Sequence, residues 1–372
     1  MIVADGDISR YPSERGPVRG SFTRVEDSDS SMSSSSHHRV ESPDASTIFE
    51  YHDLTPPTTA DVYRAKKDLS GHLPQTPLVK SEWLSEKYEA EIYLKREDTL
   101  PTGSFKIRGI TCLLAGLSEE FRQQGVITAS TGNYGRALSQ AARWFGTDAL
   151  VAVPEGTGQN RIDGIERLGG RVEVVGADYD DAAEWAADLA AEEGYRYVHP
   201  GNERRVIAGT GTAGLEIAET LPDVDVVLGP IGAGSIGAGY SLSVGQVTDA
   251  DVIGVQAANV DAAYQAWRTG DLTPQEEANT FADGIAARVP YALPMEVMRE
   301  HMDEMYTVSE AEIVETVAAV FREERILMEG ACAPPFAILE TLRGEINGQT
   351  VVIPVTGRNL PGSKVEQVVC DA

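Results

Sequence analysis

From residue 48 onward, short runs of β-branched and aliphatic residues alternate with longer stretches in which apolar residues return every three or four positions. That alternation is the pattern of parallel strands joined by crossover helices. It predicts strands over 92–95, 126–129, 149–153, 172–175, 224–228, 252–256 and 351–355. Helices should follow most of them, and 134–145, 180–193 and 310–324 carry the helical spacing most clearly. No segment repeats at a fixed period, which excludes solenoids and propellers. The expected class is α/β, with open parallel sheets.

Residues 1–47 break the pattern. They hold twelve serines, including the run Ser33 to Ser36, and too little apolar surface to offset the entropy of ordering, so a disordered tail is expected. His37 and His38 sit inside it and read as solvated side chains rather than metal ligands; Met32 is a candidate start. The whole chain, 372 residues, is long enough for two or three domains and a large core.

Charge narrows the function. Lys and Arg total 31 against 58 Asp and Glu, a net of −27, which excludes a surface built to capture nucleic acid and disfavours anionic membranes. No apolar run approaches the ~20 residues of a spanning helix, and the start lacks the basic-then-apolar pattern of a secretion signal. A soluble cytoplasmic protein is expected. Only seven residues are lysine. Dense carboxylate with little lysine suits concentrated salt, so a halophile's cytoplasm is the expected setting, although an ordinary acidic enzyme shares the composition. Cys112, Cys332 and Cys370 are odd in number and far apart, which supports neither a disulfide framework nor a Cys-only zinc site.

Three glycine-bearing turns stand where strands meet helices, the places where open α/β sheets hold ligands. They are Thr102-Gly103-Ser104-Phe105-Lys106-Ile107-Arg108-Gly109, Ser130-Thr131-Gly132-Asn133-Tyr134-Gly135, and Gly229-Pro230-Ile231-Gly232-Ala233-Gly234-Ser235-Ile236-Gly237. The third matches G-x-G-x-x-G, yet the following strand ends Gln256-Ala257-Ala258 without the ribose-binding acid a dinucleotide site needs. One compact phosphate, or no ligand at all, suits that loop equally well. Lys106 lies between Phe105 and Ile107 and close to Arg108, neighbours that favour a neutral, nucleophilic amine; an ordinary exposed lysine is the plain alternative.

Taken together, the motifs resemble the fold-type II pyridoxal-phosphate enzymes, and most closely their threonine/serine dehydratase and serine racemase branch. The matches run in order through Thr76-Pro77-Leu78, Leu94-Lys95-Arg96-Glu97-Asp98, Gly103 to Gly109, Ser130-Thr131-Gly132-Asn133, Val198-His199-Pro200 and Ile207-Ala208-Gly209-Thr210-Gly211-Thr212. They continue with Gly232 to Ser235, Ala282-Asp283-Gly284-Ile285-Ala286 and Thr356-Gly357-Arg358-Asn359. The resemblance covers about 50 to 365.

It implies two open parallel-sheet α/β domains of the tryptophan synthase β kind, with pyridoxal 5'-phosphate between them. The large cofactor domain would comprise 48–115 and 203–372, and a small domain, 116–202, would be inserted; no regulatory domain is expected after Asn359. By similarity, Lys106 would carry the cofactor aldehyde and later take the substrate's Cα proton. Phe105 would pack near the cofactor, Asn133 would bind the ring hydroxyl, and Gly232, Ala233, Gly234 and Ser235 would hold the phosphate. Thr356 would meet the pyridine nitrogen without keeping it protonated, which favours β-elimination. Ser130, Thr131, Gly132, Asn133 and Tyr134 would cradle the substrate carboxylate. The implied activity is a threonine/serine ammonia-lyase, turning a hydroxy-amino acid into a 2-oxo acid and ammonia, in a homo-oligomer, expected to be a dimer.

The departures open alternatives. Thr356 is similar to threonine synthase, which suggests β-replacement, and Thr131 stands where the racemase has its second proton donor. Tyr134 and Arg136 replace the usual His and Gln, which brings a cation towards the substrate and suits a second carboxylate, as in 3-hydroxyaspartate. Arg358 replaces a glycine and Leu100 a frequent glutamine. The branch's divalent-metal acids align with Gln256 and Ala262, so no metal is expected. Glu329 aligns with an acid near the cofactor, and Cys332 reads as a small buried hydrophobe. Trp83, Trp144, Trp185 and Trp267 read as packing anchors and Asp180-Asp181 as a helix start. A non-catalytic phosphate- or nucleotide-binding protein is the rival of another class.

Overall fold

The structure, a computed structural model, describes residues 47–370. The serine-rich stretch, with Met32, His37 and His38, lies outside the described residues apart from Thr47. In chain order the described strands are β1 (Leu78–Lys80), β2 (Glu91–Lys95), β3 (Val126–Ala129), β4 (Ala149–Val153), β5 (Arg171–Val174), β6 (Arg196–Tyr197), β7 (Val226–Pro230), β8 (Asp251–Ala257), β9 (Glu304–Val308) and β10 (Thr350–Pro354). They build a six-stranded sheet of order β1-β2-β10-β7-β8-β9 and a four-stranded sheet of order β5-β4-β3-β6.

The smaller sheet is parallel throughout, with Ile127 opposite Leu150 and Tyr197. Every residue of β3 and β4 is buried, as a sheet covered by helices on both faces requires. The larger sheet is parallel as expected from β2 to β9, and at its edge β1 runs antiparallel to β2. The link 81–90 is shorter than the ~12 residues of a parallel crossover. It makes one short helix, Glu82–Tyr88, and turns back through Glu89 in the left-handed region.

The expected strands 126–129 and 149–153 occur with those bounds, and the other five are displaced by no more than two residues. β7 starts later and runs through Pro230, because at that position its only sheet neighbour is β8 and the missing proline donor costs no ladder bond. The helix Asn133–Phe145 begins one residue before the expected 134, and Glu310–Glu324 is capped by Ser309 and Glu312. Asp178, rather than Asp180-Asp181, caps the helix Tyr179–Glu193; its side chain accepts from the amides of both. Trp144, Trp185 and Trp267 pack against buried apolar clusters. No described helix is long and apolar enough to cross a membrane.

One polar cluster is buried with the core. Arg108, in the helix Lys106–Ala115, meets Glu97 after β2 (Nε to Oε2, 2.6 Å) and Glu216 of the helix Arg204–Thr220 (Nη1 to Oε1, 2.7 Å). Lys95 Nζ closes on Glu216 Oε2 at 2.5 Å, and the Thr76 hydroxyl donates to Glu97 Oε1 at 2.6 Å. All five residues are buried. Burial works against the ionised form of Glu216, but the hydrogen bonds and charge of Arg108, with Lys95, hold its carboxyl below the usual range.

Replacing Arg108 with Met strands two buried carboxylates and should lower the unfolding free energy by about 3–5 kcal/mol. Molar salt should not erase the loss, because the cluster is shielded from solvent. Denaturant titrations of both proteins at low and high KCl measure it; a loss under about 1 kcal/mol would show that the cluster does not anchor this helix.

Candidate active site

The turns singled out in the sequence meet at the C-terminal ends of the parallel strands. Residues 130–134 follow β3, 231–235 follow β7 and 355–359 follow β10. The turn 102–105 is laced to the last of these: the Phe105 amide donates to Thr356 O (2.9 Å), and the Arg358 amide to Gly103 O (3.0 Å). Gly103 has φ +74°, and a Cβ there would lie 2.9 Å from Asn359 Oδ1, so both conformation and crowding call for glycine.

This lacing sets Lys106 at the head of its helix, facing the cavity. Its Nζ lies 4.7 Å from the centre of the Phe105 ring and 5.9 Å from that of Tyr134. Burial pulls its pKa down from the usual lysine value to about 8, with Glu329 opposing. More of the amine is therefore neutral and nucleophilic near neutral pH than in an ordinary lysine, although the protonated form still predominates at pH 7.

Across from it, the glycine loop presents donors. Among the described residues, no protein acceptor takes the amides of Gly232, Ala233, Gly234 or Ser235. Gly234 has φ +91°, and a Cβ on Gly232 would sit 2.9 Å from Ile285 Cα. The loop is a concave set of N–H groups of the kind that binds a compact dianion.

The loop after β3 is partly self-satisfied. The Ser130 amide donates to Ala152 O, and Ser130 Oγ accepts from the amides of Gly132 and Gly135. The amides of Thr131, Asn133 and Tyr134 remain directed at the start of the helix Asn133–Phe145, where a carboxylate is favoured. Tyr134 itself is buried, and its hydroxyl donates to His199 O at 2.7 Å.

Asn133 is held from both ends. Its Nδ2 donates to Glu329 Oε1 and Oε2 (2.7 and 2.9 Å), and its Oδ1 accepts from Asn359 Nδ2 (2.7 Å), which also donates to Thr102 O. Burial raises the Glu329 pKa, against the hydrogen bond from Asn133 and the nearby Lys106. Thr356 is buried with its Oγ1 3.1 Å from Cys332 Sγ, and that thiol, pushed up to about 12 by burial, also receives the Gly357 amide. Cys332 is thus buried as expected, but it braces the Thr356 turn besides filling space.

Phe105, Lys106, Asn133, Gly232, Ala233, Gly234, Ser235 and Thr356 share one narrow recess. It opens on a cavity of about 1030 Å³ whose wall includes Ser130, Thr131, Gly132, Asn133 and Tyr134. Lys106, Asn133, Ala233 and Glu329 line both. The sequence reading gave no role to Asn359, although it stands in the Thr356 motif, nor to three cations at the cavity. Arg161 Nη2 and Lys364 Nζ both reach Asp283, at 2.7 and 2.5 Å, and Arg288 pairs with Asp180. No local motif marks those three. Gln256 lies buried away from this cavity, its Oε1 accepting from the Tyr264 amide, and the described residues contain no cluster of three His, Cys, Asp or Glu placed for a metal.

Comparison with known proteins agrees with this geometry. The family model described as "Pyridoxal-phosphate dependent enzyme" matches residues 69–357. The L-threonine ammonia-lyase of Thermotoga maritima is 37% identical over 314 residues, 84% of this chain and 78% of that protein. The catabolic L-threonine dehydratase of Escherichia coli K12 is 33% identical over 314 residues, covering 83% of this chain and 94% of that one. Among solved structures, threonine deaminase isoform 2 from Solanum lycopersicum superposes with a TM-score of 0.80 at 28% identity, covering 86% of this chain and 96% of that one. Serine racemase from Dictyostelium discoideum gives 0.76 at 27%, covering 82% and 99%.

Lys106 should react as a low-pKa amine. Labelling of the cofactor-free protein by a small amine-selective reagent, followed by mass spectrometry across pH 6.5–10, should rise at this position with an inflection at about 8. The neutral form is the reactive one, so the rate climbs with pH. An inflection at the ordinary lysine value would mean that burial does not depress it.

Proposed function

The chain belongs to the pyridoxal-phosphate-dependent enzymes, and from that premise we propose that it is an ammonia-lyase acting on L-threonine or L-serine, with Lys106 as its central residue. The relatives that match over most of their length, a threonine ammonia-lyase and a threonine dehydratase, support this reading. The observation that carries it is the pairing of a lysine whose pKa is drawn to about 8 with a facing loop of four amides that no protein group accepts. Those residues fit a phosphorylated aldehyde. The Gly232–Ser235 amides would hold its phosphate, Lys106 would bond its aldehyde carbon, Phe105 would pack near it, Asn133 would bind its ring hydroxyl, and Thr356 Oγ1 would meet its ring nitrogen.

When bound, pyridoxal phosphate supplies the electron sink that acidifies the amino acid's Cα–H and lets the β-hydroxyl depart. The chain's own residues do the rest. The Thr131, Asn133 and Tyr134 amides fix the substrate carboxylate at a helix N-terminus, which sets the direction of the Cα–H bond. The Lys106 amine, exchanged for the substrate's, stands at the cavity wall as the base for that proton; its depressed pKa lets it accept the proton and return it near neutral pH. Thr356, a neutral hydroxyl braced by Cys332, cannot keep a ring nitrogen protonated as a carboxylate would, and this favours elimination over a long-lived carbanion. Thr131 Oγ1 accepts from Arg161 Nη1 at 3.3 Å, which leaves its own proton available; racemisation is therefore the second reading, detected as D-serine formed from L-serine.

Further proposals concern organisation. The strands of the four-stranded sheet fall within 116–202 and those of the larger sheet outside it, which supports an inserted small domain between 48–115 and 203–372. A homodimer is the proposed working form on the family resemblance alone; a halophile's cytoplasm is the proposed setting, supported by the net charge of −27 and the seven lysines. The protein's unfolding midpoint should then rise between ~0.2 M and ~3 M KCl, as screening removes self-repulsion.

The test of activity is 2-oxo acid release from L-threonine and L-serine at high salt, with O-phosphohomoserine alongside. Expected are 2-oxobutyrate and pyruvate, and loss of both in Lys106→Ala. Conversion of O-phosphohomoserine to threonine with no 2-oxo acid from either substrate would make the enzyme a synthase. Gly232→Val should weaken cofactor affinity by at least about tenfold in an absorbance titration, since the added side chain meets the Ile285 backbone.

A further inference from the structure

Arg136 stands in the first turn of the helix Asn133–Phe145, beside the amides assigned to the substrate carboxylate, and lines the large cavity. Its side chain is half-buried. Its Nε is shut away from solvent with no hydrogen-bond partner, and among the described residues no carboxylate pairs with its guanidinium. Arg108, Arg161 and Arg196 are also withdrawn from solvent, yet each meets a carboxylate. A buried N–H without an acceptor is costly, and the charged neighbours of this half-buried guanidinium add to the cost. Burial comes first in drawing its pKa below the usual arginine value; Arg167 and Arg358 push the same way, and Glu329 alone opposes them.

The fold nevertheless makes room for this group. Gly164 lies inside the helix Gln159–Glu166, and a Cβ there would come within 2.2 Å of Arg136 Nη1. The Gly164 backbone is not in the left-handed region, so its conformation does not call for glycine. Glycine inside a helix is disfavoured relative to alanine. A side chain at 164 would displace the Arg136 guanidinium from its present position. An anion brought into the cavity would meet a planar donor fork that no protein group already occupies.

We propose that Arg136 supplies a subsite for a side-chain oxyanion, a carboxylate foremost, so that acidic hydroxy-amino acids are substrates besides L-threonine and L-serine. This rests on the ammonia-lyase reading and widens its substrate class. The α-carboxylate lies on the Thr131, Asn133 and Tyr134 amides, and the side-chain oxyanion lies on the Arg136 guanidinium. For 3-hydroxyaspartate, Cα loses a proton and Cβ loses hydroxide. The water so released is consumed when ammonia leaves, giving oxaloacetate and ammonia with no oxidant required.

Binding separates this proposal from the reaction. Holoenzyme in ~2 M KCl is titrated calorimetrically with L-aspartate, its neutral isostere L-asparagine, and L-2-amino-3-phosphonopropionate, none of which bears a β-hydroxyl. L-Aspartate should bind about ten- to a hundredfold tighter than L-asparagine, the range of a charge-assisted pair. Arg136→Gln should bring that ratio close to one, whereas Arg136→Lys should retain most of it. Tighter binding of the phosphonate than of aspartate, again lost in Arg136→Gln, would support the oxyanion subsite and assign it to a phosphoryl group. Equal binding of aspartate and asparagine to the wild type, with 2-oxo acid still released from L-threonine, would overturn the proposal and leave the lyase reading standing. An undiminished aspartate preference in Arg136→Gln would overturn it too. An Arg136-dependent preference in an enzyme that eliminates from no hydroxy-amino acid would support the subsite and defeat the lyase reading.

Discussion

The guanidinium of Arg108 ties down the helix that begins at Lys106. It is two residues from Lys106 in the same helix, and its contacts join that helix to Glu97 after β2 and to Glu216 of the helix Arg204–Thr220. With Lys95 the cluster sets two cations against two carboxylates, so the net charge carried into the core is small. Burial opposes the charge on Arg108, yet its two acidic partners hold its pKa above the ordinary value. Removing any one member uncovers the full desolvation cost of the others, which makes the arrangement rigid without requiring that it add much net stability. A lysine used as nucleophile and base must be fixed within a fraction of an ångström. Arg108 itself does not line the cavity.

The second level of organisation is backbone lacing. Phe105 and Arg358 exchange main-chain bonds with Thr356 and Gly103, and the Glu329 amide donates to Gly357 O. Cys332 joins the same turn through its sulfur. Three segments distant in sequence thus form one platform, and Lys106, Thr356 and Glu329 cannot shift independently. The glycine loop 232–235 stands apart from this lacing. Its amides are left open because the αL conformation of Gly234 points successive N–H groups to one side.

These two levels were unequally legible in the sequence. β3, β4, β7, β8 and β10 showed as apolar runs because they are buried, and the edge strand β5 showed through its valines although it is largely exposed, while β1, β6 and β9 are short or half-polar. The glycine loops and Lys106 stood out from the residues themselves and Asn133 and Thr356 through the family resemblance; the structure brings Lys106, Asn133, Thr356 and the loop 232–235 to one recess. The clamp on Asn133 by Glu329 and Asn359, which stand 196 and 226 positions away in the chain, was not visible in the sequence. Nor were the pairing of Arg161 and Lys364 on Asp283 or the clearance that Gly164 gives Arg136. Such contacts depend on how elements pack, and no local pattern encodes them.

The cavity is close to charge balance, although the molecule as a whole is strongly acidic. Over the whole chain acidic residues outnumber basic ones 58 to 31, but the cavity wall carries five basic side chains, Lys106, Arg136, Arg161, Arg288 and Lys364, against six acidic ones. At low ionic strength an anionic cofactor or amino acid approaching such a protein would meet a repulsive field extending tens of ångströms, ~30 Å at 0.01 M salt. In molar salt that length falls to ~3 Å, and the surface carboxylates cease to matter to an approaching anion. What remains are contacts from which solvent and ions are shut out. A surface this acidic is therefore compatible with anion recognition only where the recognising groups are recessed, and the open amides of 232–235 and the half-buried guanidinium of Arg136 meet that condition.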